Sequence, residues 1–123
     1  MTVQEIAQEL VDLCRQGKFM EAQEKLYSPN TRSIEPEGTP GNDVRGMDAL
    51  KAKDKMFNSM FEVHSIDVSD PIVAGNFFTL RMTLDTTMKE SGQRVPMEEI
   101  AVYEVNDGKI VLEQFFYPAQ QQV

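Results

Sequence analysis

Three glutamates and one histidine carry the side chains best suited to moving protons. Glu35 stands in Thr31-Arg32-Ser33-Ile34-Glu35-Pro36, Glu99 in Glu98-Glu99-Ile100-Ala101-Val102-Tyr103, and Glu113 in Leu112-Glu113-Gln114-Phe115-Phe116-Tyr117, while His64, the single histidine, lies in Glu62-Val63-His64-Ser65. A carboxylate among apolar neighbours is pushed toward its neutral form by desolvation, and a second carboxylate nearby pushes it further, which makes a general acid or base useful near neutrality. His64 reaches the same range without perturbation. Tyr27, Tyr103 and Tyr117 add hydroxyls that either donate to a bound carbonyl or anchor packing to backbone partners. Each group also has a plainer reading: Glu99 and Glu113 at a wet rim or paired with Arg94 or Lys109, Glu35 as a solvated carboxylate, His64 as an exposed or structural side chain.

Other chemistries lack their residues. A single histidine cannot make a multi-histidine metal site, and Cys14, the single cysteine, can make neither an intrachain disulfide nor a cysteine-rich zinc site. Cys14 also has no basic neighbour to lower its pKa and falls on an apolar stripe, so it reads as buried filler. No phosphate loop, dinucleotide fingerprint or carboxylate-histidine dinuclear motif is present, so neither a metal nor a cofactor is expected.

The elements that position these groups follow from spacing. Thr2 and Glu5 form a capping-box pair ahead of the stripe Val3, Ile6, Leu10, Leu13 and Cys14, and Gly17 is placed as a left-handed stop. A second helix over Phe19 to Tyr27 repeats the stripe and ends at the turn Ser28-Pro29-Asn30. Thr31 to Glu35 reads as a short strand, and residues 36–43 are too rich in Pro and Gly to be regular, so this loop is the expected mobile rim of any cavity. A third helix, Met47 to Phe61, carries Met47, Leu50, Phe57, Met60 and Phe61 on its apolar face against Lys51, Lys55 and Asn58, and is expected to be half buried.

Beyond the third helix the period falls from 3.6 to 2. Glu62 to Ser69, Ile72 to Met88 with a bulge or break at Gly75-Asn76, Val95 to Val105 and Lys109 to Tyr117 read as strands, and the last three form a hairpin-linked meander. Alternation puts Phe78, Leu80, Met82 and Leu84 on one side, toward the helices. It groups Glu99 with Ala101 and Tyr103, and Glu113 with Phe115 and Tyr117. Both faces of these late strands carry apolar residues, so helices are expected on one and a second subunit on the other, making a homodimer through the outer sheet face.

Size and charge set the class. The chain has 123 residues, enough for one domain over 1–123, and its 41% hydrophobic and 26% charged content suits a packed core. A net charge of -8, with the basic residues scattered, argues against nucleic acid or an anionic membrane surface as partner. No signal-like amino terminus and no apolar run of ~20 residues is present, so a cytoplasmic protein is expected. There is no internal repeat, and Gln120-Gln121-Gln122 is the sole low-complexity tract.

The order helix, helix, short strand, loop, helix and long hairpin-linked strands resembles the nuclear transport factor two-like fold. Residues 26–36, Leu26 to Pro36, look like its helix-to-strand passage, and Asp107-Gly108-Lys109-Ile110-Val111 with Phe115-Phe116-Tyr117 look like its closing hairpin. The pattern is most similar to the SnoaL-like group of that superfamily and spans essentially the whole chain. The resemblance implies an α+β fold in which three N-terminal helices pack in the concavity of a strongly curved, mostly antiparallel sheet, a conical half-barrel. It further implies a cavity under the sheet, frequent homodimers, and no single reaction, since this fold hosts cyclases, isomerases, dehydratases and non-catalytic binders.

Laid on the superfamily's ketosteroid isomerases, Glu35 or Glu37 matches the carboxylate base. Ala101 stands where an aspartic acid should be, and the first helix lacks the required tyrosine. The same overlay turns Glu99, Ala101, Tyr103, Glu113, Phe115 and Tyr117 toward the cavity. The expected protein is thus a small-molecule pocket, either catalysing a cofactor-independent acid–base reaction on an apolar, carbonyl-bearing substrate or simply carrying an apolar ligand. The expected catalytic residues are Glu35, His64, Glu99 and Tyr103, and the expected ligand contacts Tyr27, Met82, Leu84, Glu113, Phe115 and Tyr117. An interaction module built on the outer sheet face is the remaining alternative.

Overall fold

The computed structural model describes residues 1–118; the glutamine tract lies outside them. Helix α1, Val3–Arg15, opens with the capping box: the Glu5 amide donates to Thr2 Oγ1 at 3.1 Å, and the Thr2 amide to Glu5 Oε1 at 2.8 Å. It closes at Gly17, whose positive φ of 74° lets the Lys18 amide turn back to the Leu13 carbonyl at 2.9 Å. Helix α2, Phe19–Leu26, returns antiparallel to it as the second arm of the hairpin.

Beyond α2 the structure departs from the sequence pattern. Tyr27 is already extended, and strand β1 runs Tyr27–Ile34 without an intervening turn. It pairs in parallel with the last strand, Tyr27 opposite Ile110, slips, and resumes at Arg32 opposite Leu112. Pro29, which has no amide to donate, falls inside the slip, and Thr31 Oγ1 bridges it by donating toward the Ser28 and Ile110 carbonyls. The turn-forming residues are thus absorbed as an irregularity within a strand.

A short strand, β2, Asp43–Arg45, lies where the sequence pattern places only loop; it pairs antiparallel with β1, and Arg32 grips Asp43 through both Nε and Nη2. Helix α3, Met47–Met60, then leads directly into β3, Phe61–Val68. Of the bulge or break expected at Gly75-Asn76 the structure has the break: a tight two-residue turn there folds β4, Ile72–Ala74, back on β5, Phe77–Met88. Strands β6, Arg94–Asn106, and β7, Lys109–Phe116, complete the meander through an Asp107-Gly108 turn with both φ angles positive.

The sheet runs β2-β1-β7-β6-β5-β3, with β4 on β5, and every pairing is antiparallel except β1 with β7. Helix α3 touches β1 and β2 near one end of that order and β3 at the other, so the sheet curves around the helices. Phe78, Leu80, Met82 and Leu84 point inward as alternation requires, meeting Ile6, Leu10, Val11 and Cys14 of α1. Phe78 stacks on Tyr103 with ring centroids 4.8 Å apart. The architecture is the α+β cone that the residue order suggests.

Helix α3 is less buried than its stripe implies. Leu50 is buried, Met47 and Phe57 are half buried, and Met60, assigned to the apolar face, is exposed. The reason is geometric: α3 bridges the two ends of the sheet, so only a narrow strip of it meets the core. Among the described residues no helix is long and apolar enough to cross a membrane.

Candidate functional site

Three elements bring the acidic groups together. On β6 the inward parity that buries Ala101 and Tyr103 also carries Glu99; on β7 it carries Glu113, Phe115 and then Tyr117; on β1 it carries Ser33, one residue from Ile34 and two from Glu35. The register sets Tyr103 opposite Glu113, Ser33 beside Glu113, and Met82 opposite Glu99.

Glu113 is buried, and both its oxygens are engaged. Tyr27 donates its hydroxyl to Oε1, and Ser33 Oγ lies 2.6 Å from Oε2. Ser33 also accepts from Lys53 Nζ at 2.8 Å, and Lys53 reaches Glu35 Oε2 at 2.9 Å while standing 5.9 Å from the centre of the Phe115 ring. Tyr117 donates to the other oxygen of Glu35 at 2.7 Å. The result is one connected chain of polar groups, Tyr27–Glu113–Ser33–Lys53–Glu35–Tyr117, running from the interior to an open cleft of about 560 Å³ lined by Glu35, Phe115, Tyr117 and the start of the loop after β1.

Glu99 is different. Among the described residues no hydrogen bond or ion pair to its carboxyl is present, and it is crowded enough that desolvation first, then the Glu35 and Glu113 charges, push it up to about 8, with Lys53 pulling the other way. Part of its surface remains open, so it is a reachable carboxyl with a poised proton. Burial also raises Glu113, against the lowering effect of the Ser33 and Tyr27 hydroxyls, and raises Tyr27 and Tyr103 so that both stay protonated. Asp54, on α3 beside Lys53, is raised by desolvation, and Cys14 is pushed up to about 12 by burial and the surrounding carboxylates, which makes it an inert thiol.

The structure therefore gathers Glu35, Glu99, Glu113, Tyr27, Tyr103, Phe115 and Tyr117 in one region. The plainer alternative of a pairing with Arg94 or Lys109 does not hold, since Arg94 grips Asp85 and Lys109 donates to the Lys25 carbonyl. Neither Glu99 nor Tyr103 lines the cleft itself, and Met82 and Leu84 are packed in the apolar core. His64 does not join the group. A register irregularity between Val63 and Ser65 leaves it exposed on the outer side, with Nε2 2.6 Å from Thr87 Oγ1 and Asp85 nearby. A donor role in the interior is closed to it by that position.

Sequence reasoning misses Lys53, the cation at the centre. It sits in Lys51-Ala52-Lys53-Asp54-Lys55, where charge alone does not tell the inward lysine from its exposed neighbours. Ser33 likewise carries no local signal. Replacing Tyr27 by Phe is expected to leave Glu113 Oε1 without its donor and to cost about 1–3 kcal/mol, read from the shift in the urea unfolding midpoint; an unchanged midpoint would show that the hydroxyl contributes nothing.

A family model described as a SnoaL-like domain matches residues 1–117. Among solved structures, a Mesorhizobium loti protein described as a candidate SnoaL-like polyketide cyclase (carbohydrate phosphatase) is 38% identical, with 95% of this chain and 100% of that one covered at a TM-score of 0.90. A Burkholderia pseudomallei NTF2-like protein of unknown function is 14% identical over 99% and 95% of the two chains, TM-score 0.82. A candidate isomerase from Bacillus subtilis is 20% identical over 98% and 92%, TM-score 0.76. No match is found among curated protein sequences.

Proposed function

Since the chain belongs to the SnoaL-like domain family, we propose that it binds a small, mostly apolar, carbonyl-bearing molecule and acts on it by general acid–base chemistry of the isomerase, cyclase or dehydratase type. The observation that carries this reading is Glu99: a reachable carboxyl, without a hydrogen-bond or ion-pair partner among the described residues, whose proton is poised at about 8. A base is most effective when its pKa lies near the working pH, because it is then both available and strong enough to take a proton. Glu99 shuttles the proton, the Lys53 ammonium stabilises negative charge developing on the carbonyl oxygen, and Glu35, held by Lys53 and Tyr117, keeps that ammonium in place.

The test is proton exchange. A panel of enolisable ketones in D2O should take up deuterium alpha to the carbonyl faster with the protein than without it. Native mass spectrometry of the purified chain should show a bound small molecule. Absence of catalysed exchange with a ligand still bound favours a second reading, a carrier of an apolar ligand; it is supported by the cleft being lined at Glu35, Phe115 and Tyr117 rather than at Glu99.

We further propose that a second copy covers the outer sheet face. Ile100 and Phe116, facing each other across β6 and β7, are 52% and 49% exposed, and the half-buried Val102 and Leu112 extend the same surface. Ile100→Asp is expected to convert a dimer to a monomer in light scattering coupled to gel filtration. A wild-type monomer would remove the proposal.

A further inference from the structure

The cleft and the carboxyl that the proposed chemistry needs are not in the same place. Glu35, Glu37, Phe115 and Tyr117 line the cleft, whereas Glu99 does not, although part of its surface is open to water. A molecule held in the cleft meets Glu99 only if the group standing between them moves.

The strand register identifies that group. Ala101 pairs with Phe115 and Ile100 with Phe116, so the next inward positions along the same two chains, Glu99 and Tyr117, stand side by side. The two are close enough for the Glu99 charge to act on the Tyr117 hydroxyl. Tyr117 thus has the cleft on one side and Glu99 on the other. Its hydroxyl is latched at the mouth: it donates to Glu35 Oε1 at 2.7 Å, Thr39 of the loop after β1 bonds to the same hydroxyl, and Glu35 is itself fixed by Lys53 at 2.9 Å. The backbone at this point is not held by the sheet. Strand β7 ends at Phe116, and Pro118 has no amide to extend the ladder, so the half-buried Tyr117 side chain can leave its place without breaking a strand pairing.

We infer that Tyr117 is a gate: with its hydroxyl on Glu35 it separates the cleft from Glu99, and released it joins the two, so that a carbonyl compound waiting in the cleft reaches the Glu99 carboxyl. The inference rests on the acid–base reading above and deepens it, because it makes Tyr117 a positioning residue that decides when the ligand meets the acid. A ligand that fits the joined space better than the cleft alone shifts the population toward the released form.

The experiment modifies the carboxyls of the whole chain with a carbodiimide and glycinamide at about pH 6, where Glu99 holds its proton, and follows each site by proteolysis and mass spectrometry. Glu37, exposed on the cleft, is the reference for reagent activity, and buried Glu113 reports any loosening of the interior. In the parent protein Glu37 should react fast and Glu99 slowly. Tyr117→Phe, which keeps the ring and removes the latch, should speed modification of Glu99 about tenfold, the population shift that follows loss of one hydrogen bond to a charged acceptor. Tyr117→Ala should speed it further, with Glu37 and Glu113 unchanged in both variants; should the alanine variant fold poorly, Tyr117→Phe decides alone. An unchanged Glu99 rate would overturn the inference, and so would a rise at Glu99 matched by one at Glu113, which marks a loosened fold. Deuterium exchange separates this outcome from the acid–base reading. Selective speeding at Glu99 in a protein that catalyses no exchange keeps the gate and removes that reading, whereas catalysed exchange with an unchanged Glu99 rate removes the gate and leaves the reading standing.

Discussion

Glu99→Gln is expected to suppress the proposed proton exchange strongly and, at the same time, to make the protein more stable in mild alkali. The two effects share one cause. The Glu99 carboxyl is raised from 4.5 to about 8 in the fold, so between those values the folded chain keeps a proton that the unfolded chain has released. Stability then falls as pH rises through that window, by about 1.4 kcal/mol per pH unit for one such group, and the full cost is present once the pH exceeds the folded value. Glutamine keeps the shape and has no charge to desolvate. Urea unfolding of the two proteins should therefore give closely similar stabilities at the acid end of the window and diverge toward its upper end, with the variant above. Some slope should remain in Glu99→Gln, because Glu113 is raised as well. Loss of the proton-transfer group should lower the rate of catalysed deuterium exchange about 10²–10⁴-fold. Parallel stability curves would show that Glu99 is not perturbed, and an undiminished exchange rate would take it out of the chemistry.

Lys53→Met should act in the opposite direction on stability. Lys53 donates to Glu35 and Ser33, its side chain is 24% exposed and that of Glu35 15%, and it lowers the pKa of Glu99, Glu113 and Asp54 together. Removing one partner of a largely buried ion pair leaves the other charge uncompensated, which costs about 3–5 kcal/mol in a fully buried site and, with this residual exposure, about 2–3 kcal/mol here. The deficit carries a pH signature. Without the ammonium the carboxyls rise further, hold their protons more firmly in the fold, and make stability decline more steeply with pH. The loss should thus be largest in mild alkali and shrink on acidification. The double variant Lys53→Met with Glu35→Met should recover part of the loss, since it removes the stranded charge. A Lys53→Met protein as stable as the parent at every pH would mean that the ammonium is solvated rather than central.

Both variants address a site that is partly legible in the amino-acid order. The spacing of Thr2 and Glu5, the placement of Gly17, the Asp107-Gly108 turn and the strict alternation through Phe78, Leu80, Met82 and Leu84 determine the helices, the meander and which side of β5 faces inward. Such features depend on contacts within a few residues, and a change of parity would expose a whole row of apolar side chains. For that reason the grouping of Glu99 with Tyr103, and of Glu113 with Tyr117, can be read from order alone, whereas the inward direction of those two groups is what the fold resemblance implies.

Tertiary structure decides what those groups meet. Tyr27 and Glu113 are 86 residues apart, Ser33 and Glu113 80, and Tyr117 and Glu35 82; these pairings exist because β1 closes in parallel on β7, an arrangement that no local pattern encodes. The same long-range closure draws Tyr27 out of its expected helix end, and a one-residue slip in β3 turns His64 outward. Lys53 shows the limit most plainly. Among three lysines spaced two apart on α3, which one turns inward is set by the carboxylates standing opposite, and those arrive from strands at both ends of the chain.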